Sequence, residues 1–409
     1  MRLKKVVSAQ VGTLLVKSVF ASHKRDVSLM QSAIDEYVGR PVTMVSYEHT
    51  ITIQGQVIKF PIRFPIPPAV NSYSDLIEAK IADLVAEFGL YKGLEALVPA
   101  CSFAFLSGLI SPYSSESCQE GLSFYYTTLF DHDDCIDLHN ASGEIDPDVL
   151  QEVNDRLEFI LAGHEATATD LPRVKAIAKI YDIYFRPIIE GGAEFEYAQI
   201  TFHEYLQSTV QEARHIQSEV KILEEVYLEH RQHTGGIRHA FAVMCLSEGV
   251  NIAGLLKRYI NLQFMLRLIS DVVGILNDAL SFEKELRELI KKNPSVGPHE
   301  IDLLRAKVTS NLVLIKWRDG MSFADAVDHV NDIYQKKLDA FYALKTELEP
   351  FFTKDAALRK ITFLMEGWLF GHPIWAVNIM RYNPSIKELL TIAKANDFIR
   401  QFVDARRIP

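Results

Sequence analysis

The chain has 409 residues, 48% of them hydrophobic, and 43 Lys and Arg against 53 Asp and Glu leave a net charge of −10. A chain this apolar is not disordered as a whole, and at about 150 residues per domain it holds one large domain or two to three smaller ones. The acidic balance, with no basic run longer than Lys4-Lys5 or Lys24-Arg25, argues against a nucleic-acid partner, because phosphate backbones are held by concentrated Lys and Arg.

Cys101, Cys118, Cys135 and Cys245 show neither paired metal-ligand spacing nor the density of a disulfide scaffold, so a reducing compartment is the default. Apolar residues never run together for the length of about 18 that a membrane span needs, so no transmembrane segment is expected. Residues 1–25 carry Arg2, Lys4, Lys5, Lys17, Lys24 and Arg25 and no acid. Two readings fit them: an organelle transit segment, or a basic first helix packed on the domain, which places the protein in an organelle or in the cytoplasm.

Residues 50–60 alternate apolar and polar around Gln54-Gly55, which predicts a short β-hairpin with Gly in its turn. The Pro-rich stretch from Phe60 to Pro68 cannot continue a helix or a central strand, and it marks the border between an N-terminal extension (1–65) and the main domain (66–409). From there apolar residues recur at spacings of three and four. The pattern predicts helices over 73–88, 93–106, 116–138, 147–162, 172–188, 201–230, 236–248, 255–292, 298–318, 322–348 and 354–382. The helix over 255–292 is apolar around Phe264, Leu266, Val272 and Ile275 and should be central. The fold class is all-α.

Two constellations carry chemistry. In Phe130-Asp131-His132-Asp133-Asp134-Cys135-Ile136-Asp137, the carboxylates of Asp133, Asp134 and Asp137 share one helical face. They repel one another unless a cation lies between them, and hard oxygen donors without Cys or His partners suit Mg²⁺. A solvated acidic helix end is the other reading. In Asn277-Asp278-Ala279-Leu280-Ser281-Phe282-Glu283-Lys284-Glu285, an amide (Asn277), a hydroxyl (Ser281) and a carboxylate (Glu285) line one stripe, which makes a single-metal ligand row or an exposed helix with polar pairs. Two such faces in one helical domain could hold divalent ions between them, and such a cluster suits a diphosphate.

Asp133-Asp134-x-x-Asp137 followed by Asn277-Asp278-x-x-Ser281-x-x-Lys284-Glu285 resembles the two metal motifs of class I terpene synthases. The resemblance covers roughly 60–385 and brings further positions with it. Arg231 looks like the diphosphate-sensing arginine, with Thr234 and Gly235 in the linker and effector positions of the same helix break. Arg381-Tyr382 resembles the family's Arg-Tyr pair, and Trp375 stands where an aromatic cavity wall is expected.

The resemblance implies an isoprenoid-synthase-like helical bundle around a central cavity, acting as a monomer or homodimer. Three Mg²⁺ ions would be held by Asp133, with Asp134 or Asp137, and by Asn277, Ser281 and Glu285. A linear prenyl diphosphate would ionise against Arg231, Lys284, Arg381 and Tyr382 and then cyclise, the aromatic candidates for stabilising the cation being Phe124, Tyr125, Phe130, Trp368 and Trp375. Thr234 departs from the family, many of whose members carry Asp there. The long N-terminal extension is similar to that of soft-coral terpene cyclases, which favours geranylgeranyl over farnesyl diphosphate. A chain-elongating prenyltransferase would show a second Asp-Asp-x-x-Asp motif, absent here; a His-Asp phosphohydrolase using His132-Asp133 and a non-catalytic helical interaction protein are the remaining alternatives.

Overall fold

The computed structural model describes residues 31–37, 42–53, 56–92, 97–142, 146–218, 221–293, 301–383, 386 and 388–404. Side chains at 52, 56, 135, 137–142, 292, 301 and 404 also lie outside the description. The transit-like segment and the Gln54-Gly55 turn therefore fall outside the described residues.

Strands β1 (Met44–Ile53) and β2 (Gln56–Pro65) form the expected antiparallel hairpin, with Ile53 opposite Gln56 and Met44 opposite Pro65. The strand runs farther than its prolines suggest. In a two-stranded sheet each strand has a free edge, so Pro61, opposite Glu48, and Pro65 need not break a central ladder. The border of the strand thus lies at Ile66-Pro67-Pro68 and not at Phe60. Phe60, Ile62 and Phe64 are buried against the helices, and the Tyr334 hydroxyl donates to the Arg63 carbonyl at 2.6 Å.

The rest of the description is helical: α1 (Ser74–Phe88), α2 (Leu97–Cys101), α3 (Phe103–Ile110), α4 (Glu116–Ser142), α5 (Pro147–Leu161), α6 (Pro172–Ile180) continuing through a π turn (Tyr181–Phe185), and α7 (Arg186–Glu190). Then follow α8 (Glu196–Ser218), α9 (Glu224–Thr234), α10 (Ile237–Ser247), α11 (Ile252–Arg258), α12 (Ile260–Lys292), α13 (Ile301–Ala306), α14 (Leu312–Arg318), α15 (Phe323–Phe352), α16 (Ala356–Val377) and α17 (Ile392–Asp404). Side-chain caps fix several starts: Asp146 accepts from Asp148 N, Ser322 from Asp325 N and Asp355 from Leu358 N. Five expected helices are broken or shorter, among them 93–106, which breaks at Ser102 between α2 and α3. The 201–230 and 255–292 segments are interrupted, the latter at Tyr259; 298–318 splits in two; and the last ends at Val377, leaving Arg381 and Tyr382 in a following turn. Helix α17, whose Phe398 and Phe402 meet Tyr47 and Phe64 of the hairpin, lies beyond the last helix that the apolar spacing predicts.

Helix α12 is the centre, packed by α15, α16, α9 and α14. Among single described helices it alone is long and apolar enough to cross a membrane, and 61% of that apolar window is buried within the fold, as in a core helix. The rotation of α16 is set by two glycines: a β-carbon at Gly367 would stand 2.0 Å from the Ile110 carbonyl oxygen, and one at Gly371 would stand 2.7 Å from the Ile110 amide nitrogen. This close approach to α3 leaves Trp368 and Trp375 of α16 against Tyr126 and Phe130 of α4.

Candidate active site

Helix α4 brings the first acidic motif into the interior. Asp134 is almost fully buried and takes both arms of the Arg381 fork, Nη1 to Oδ2 at 2.8 Å and Nη2 to Oδ1 at 2.7 Å. This bidentate pair anchors the turn after α16, and the Arg381 amide also donates to the Ala100 carbonyl. Asp133 is half-buried, and its charge helps to raise the pKa of Arg231. Asp137 continues the α4 backbone, but its side chain lies outside the described residues. Asp131 is structural: it accepts the Tyr91 amide at 2.5 Å and faces Arg173. His132 is buried beside Arg173 and Tyr205 rather than gathered with other histidines.

Helix α12 brings the second motif. Asn277 has two partners: its Nδ2 donates to the Tyr382 hydroxyl at 2.7 Å, and its Oδ1 accepts from Arg231 Nη2 at 3.0 Å. One turn on, the Ser281 hydroxyl donates to Glu285 Oε1 at 2.5 Å. Lys284 stands apart, half exposed and 4.0 Å from Glu288, so the structure does not join it to the other expected diphosphate contacts. Gly274 leaves room for Arg231 to cross the helix: a β-carbon there would come within 3.1 Å of Arg231 Cγ. Thr234 is buried at the end of α9, and Gly235 and Gly236 make the break before α10, with Gly236 at φ 65°, the left-handed region that glycine enters without strain.

Three residues matter here that spacing did not single out. Asp278, next to Asn277, pairs with Arg231 at 3.2 Å, accepts the Tyr227 hydroxyl at 2.7 Å and accepts the Leu312 amide at 2.9 Å. Asn311, in the left-handed region at φ 68°, caps α14 and donates to the Asp278 carbonyl at 2.9 Å and to the Ser281 hydroxyl at 3.3 Å. Tyr227 and Asn311 had no sequence signal beyond residue type, because their partners are 51 and 33 positions away.

Both arginines stay charged although buried. Burial alone would lower the Arg231 pKa, and the facing Asp278 and Tyr227 outweigh it; for Arg381, burial is outweighed by Tyr382 and Asp134. The Nε of each is buried without a partner. Trp375 is fully buried, its indole N–H donating to the Cys101 carbonyl at 2.6 Å, and it meets Phe130 and Tyr382 edge-on at 6.0 and 5.8 Å. Phe130 in turn lies under the Arg381 guanidinium at 5.5 Å. Of the other aromatic candidates, Tyr125 is turned away to His239 and Phe185, and Phe124 to Tyr184.

The donors fit Mg²⁺. Asp133, Asn277, Ser281 and Glu285 offer only hard oxygens, flanked by two arginines with unpartnered N–H groups. Among the described residues no three His, Cys, Asp or Glu side chains gather closely enough to hold a metal by themselves.

The family model for terpene synthase family 2, C-terminal metal binding, matches residues 125–340, a span that contains both motifs. The chain belongs to the class I terpene synthases. It is 23% identical over 180 residues to Sesquiterpene synthase 6 of Postia placenta, covering 44% of this chain and 47% of that protein, so the chain spans about half the length of that relative. It is 23% identical over 299 residues to Pristinol synthase of Streptomyces pristinaespiralis, covering 70% of this chain and 73% of that protein. Among solved structures, a-eudesmol synthase superposes with a TM-score of 0.61 at 17% identity, covering 77% of this chain and 97% of that one. Linalool/Nerolidol synthase from Streptomyces clavuligerus gives 0.58 at 19%, covering 75% and 99%. These likenesses show the same helical-bundle fold.

Proposed function

We propose that this terpene synthase is a Mg²⁺-dependent cyclase that ionises a linear prenyl diphosphate and closes the resulting carbocation into a ring, releasing diphosphate. The observation that carries the reading is one connected chain of contacts, Asp134–Arg381, then Tyr382–Asn277–Arg231–Asp278, which ties the acidic motif of α4 to the ligand row of α12. Mg²⁺, when bound, supplies positive charge that neutralises the leaving diphosphate. Arg231 and Arg381 add fixed guanidinium charge, and the Tyr382 hydroxyl and the Asn277 amide are placed by each other, so that these groups meet negative charge as it develops. Phe130, Tyr382 and Trp375 present aromatic rings beside them, each worth about 0.5 to 2 kcal/mol to a cation. The buried surroundings keep bulk water from the cation.

Farnesyl diphosphate is the substrate we propose, supported by the Postia relative being named a sesquiterpene synthase; the expectation of geranylgeranyl diphosphate rests on the soft-coral likeness alone. Incubating the purified chain with C10, C15 and C20 prenyl diphosphates, with and without Mg²⁺, should give a Mg²⁺-dependent cyclic product from the C15 substrate by mass spectrometry. Longer linear diphosphates formed only with an isopentenyl donor would make it an elongating transferase. No product under any condition would leave a non-catalytic helical module.

A further inference from the structure

On the interior face of α16, two ring nitrogens are buried without a hydrogen-bond partner: Trp368 Nε1 and His372 Nδ1. Both residues are almost fully enclosed, 2% and 4% exposed. They are four residues apart and so lie one helical turn above each other, with Cβ atoms about 6 Å apart. Their neighbours cannot serve them. Tyr126 meets the Trp368 ring edge-on at 6.1 Å, but its hydroxyl donates to the Ala240 carbonyl; Trp375 meets the His372 ring at 5.7 Å, but its N–H is engaged by the Cys101 carbonyl. Pro373 in the same turn has no N–H, so the helical hydrogen bond to the Leu369 carbonyl cannot form either. A buried polar group left unpaired costs about 1 to 3 kcal/mol, which a single bridging molecule would recover for both rings.

These two nitrogens lie close to the groups assigned to ionisation. His372 senses the Arg231 charge, and Trp375, one turn farther along, touches Phe130 and Tyr382. We propose that Trp368 Nε1 and His372 Nδ1 hold one water molecule inside the hydrocarbon-binding interior, and that this water ends the reaction by adding to the terpenyl cation while His372 takes its proton. The inference rests on the terpene synthase reading and names how that site terminates. Trp368 donates its N–H to the water oxygen, and the water donates one O–H to His372 Nδ1. The remaining oxygen lone pair forms the C–O bond to the electron-deficient carbon. One O–H bond then breaks, its electron pair staying on oxygen and its proton going to the Nδ1 lone pair, so a terpene alcohol and an imidazolium result. The imidazolium returns its proton to solvent when the product leaves.

The imidazole suits this role. Burial, with the Arg231 charge in second place, pushes its pKa down to about 3, so it is neutral with a free lone pair at working pH. A protonated alcohol is a strong acid, so a weak base suffices to accept its proton. Without the water and its acceptor, the cation is expected to end chiefly by losing a proton to form an olefin.

The test is product partition in water enriched in oxygen-18, with the full chain, farnesyl and geranylgeranyl diphosphates and Mg²⁺, and with diphosphate release measured in parallel. The native protein should give a terpene alcohol carrying the label. In His372→Phe the alcohol should fall about tenfold relative to diphosphate released, with hydrocarbon taking its place, and His372→Gln, which retains an acceptor, should restore part of it. Trp368→Phe should shift the partition the same way, which keeps the test decisive if His372→Phe does not fold. A native product that is hydrocarbon alone, or an unchanged alcohol fraction in the folded Phe variants, would overturn the assignment while leaving the synthase reading standing. Absence of diphosphate release from either substrate would overturn both.

Discussion

Asn277 shows how one side chain can serve two tasks. Its oxygen accepts from Arg231 and its nitrogen donates to Tyr382, so it positions both groups proposed to face the diphosphate, besides the metal-ligand role proposed for it. Asn277→Ala should therefore lower the rate of diphosphate release by 10²-fold or more, about 3 kcal/mol of transition-state stabilisation, with far-ultraviolet circular dichroism unchanged. Loss of helical signal in that variant would make Asn277 a packing residue. A different residue sets a pH response. Glu78 is half-buried beside the start of α3, where its carboxylate accepts the Ala104 amide at 2.9 Å, and desolvation raises its pKa from an ordinary 4.5 to about 7. The native state thus keeps the proton after the unfolded chain has lost it, so this group's contribution to stability falls as pH rises from about 4.5 and levels off above about 7. Thermal melts of the native protein and Glu78→Gln at about pH 5 and about pH 8 should show the native protein losing ground to the variant at the higher pH; a constant difference would mean that Glu78 ionises as readily in the fold as outside it.

The glycines of α12 and α16 separate activity from stability. At Gly274 the nearest atom to an added methyl is Arg231 Cγ, the stem of a side chain that can shift. Gly274→Ala should cost far less stability than Gly367→Ala, since alanine is favoured over glycine inside a helix by about 0.5 to 1 kcal/mol and the Arg231 stem can shift while its guanidinium stays on Asp278, but displacement of that guanidinium from Asn277 should slow turnover about tenfold. At Gly367 the obstacle is the Ile110 backbone itself, so Gly367→Ala should destabilise by about 3 kcal/mol or more through forced separation of α3 and α16. Urea unfolding of the two variants checks both, and equal losses would show that the α3–α16 contact yields as easily as a side chain.

Such close approaches also mark the limit of what the sequence displays. Helical spacing revealed most of the helices, and the carboxylate and Asn-Ser-Glu stripes were visible because their members are neighbours on one helix. Tyr227, Asn311 and the fold-back of Arg381 onto Asp134 depend on partners far along the chain, 247 positions in the last case, and no local pattern reports them. The break at Tyr259 and the π turn at Tyr181–Phe185 were hidden for a related reason: flanking residues keep the apolar period while the backbone departs from it. Lys284 is the converse, a residue picked out by its place in the motif whose side chain is half exposed beside Glu288.

At the scale of the whole molecule, the hairpin behaves as a part of the bundle. Val45, Ile51, Ile53, Ile58, Phe60, Ile62 and Phe64 are all buried, β2 packs on α15 and α16, and α17 covers the hairpin through Phe398 and Phe402. We propose that residues 44–65 fold only with the helices and the helices only with them. Each such side chain contributes about 1.5 to 3 kcal/mol on burial, so together they amount to roughly 10 kcal/mol or more, comparable with the 5 to 15 kcal/mol that holds an entire domain folded. Removing residues 1–65 should therefore give a protein that is aggregated or lacks a cooperative melt, because α15, α16 and α17 would present that apolar surface to water. A chain beginning just before β1, with residues 1–40 removed, loses the buried Ile34 and the Tyr37 contacts with Phe363 and Phe370, so it should still melt cooperatively, though lower than the full chain, and should retain the Mg²⁺-dependent release of diphosphate. If instead the chain starting at residue 66 melts as the full chain does, the hairpin is an appendage, and the helices of the synthase make their core unaided.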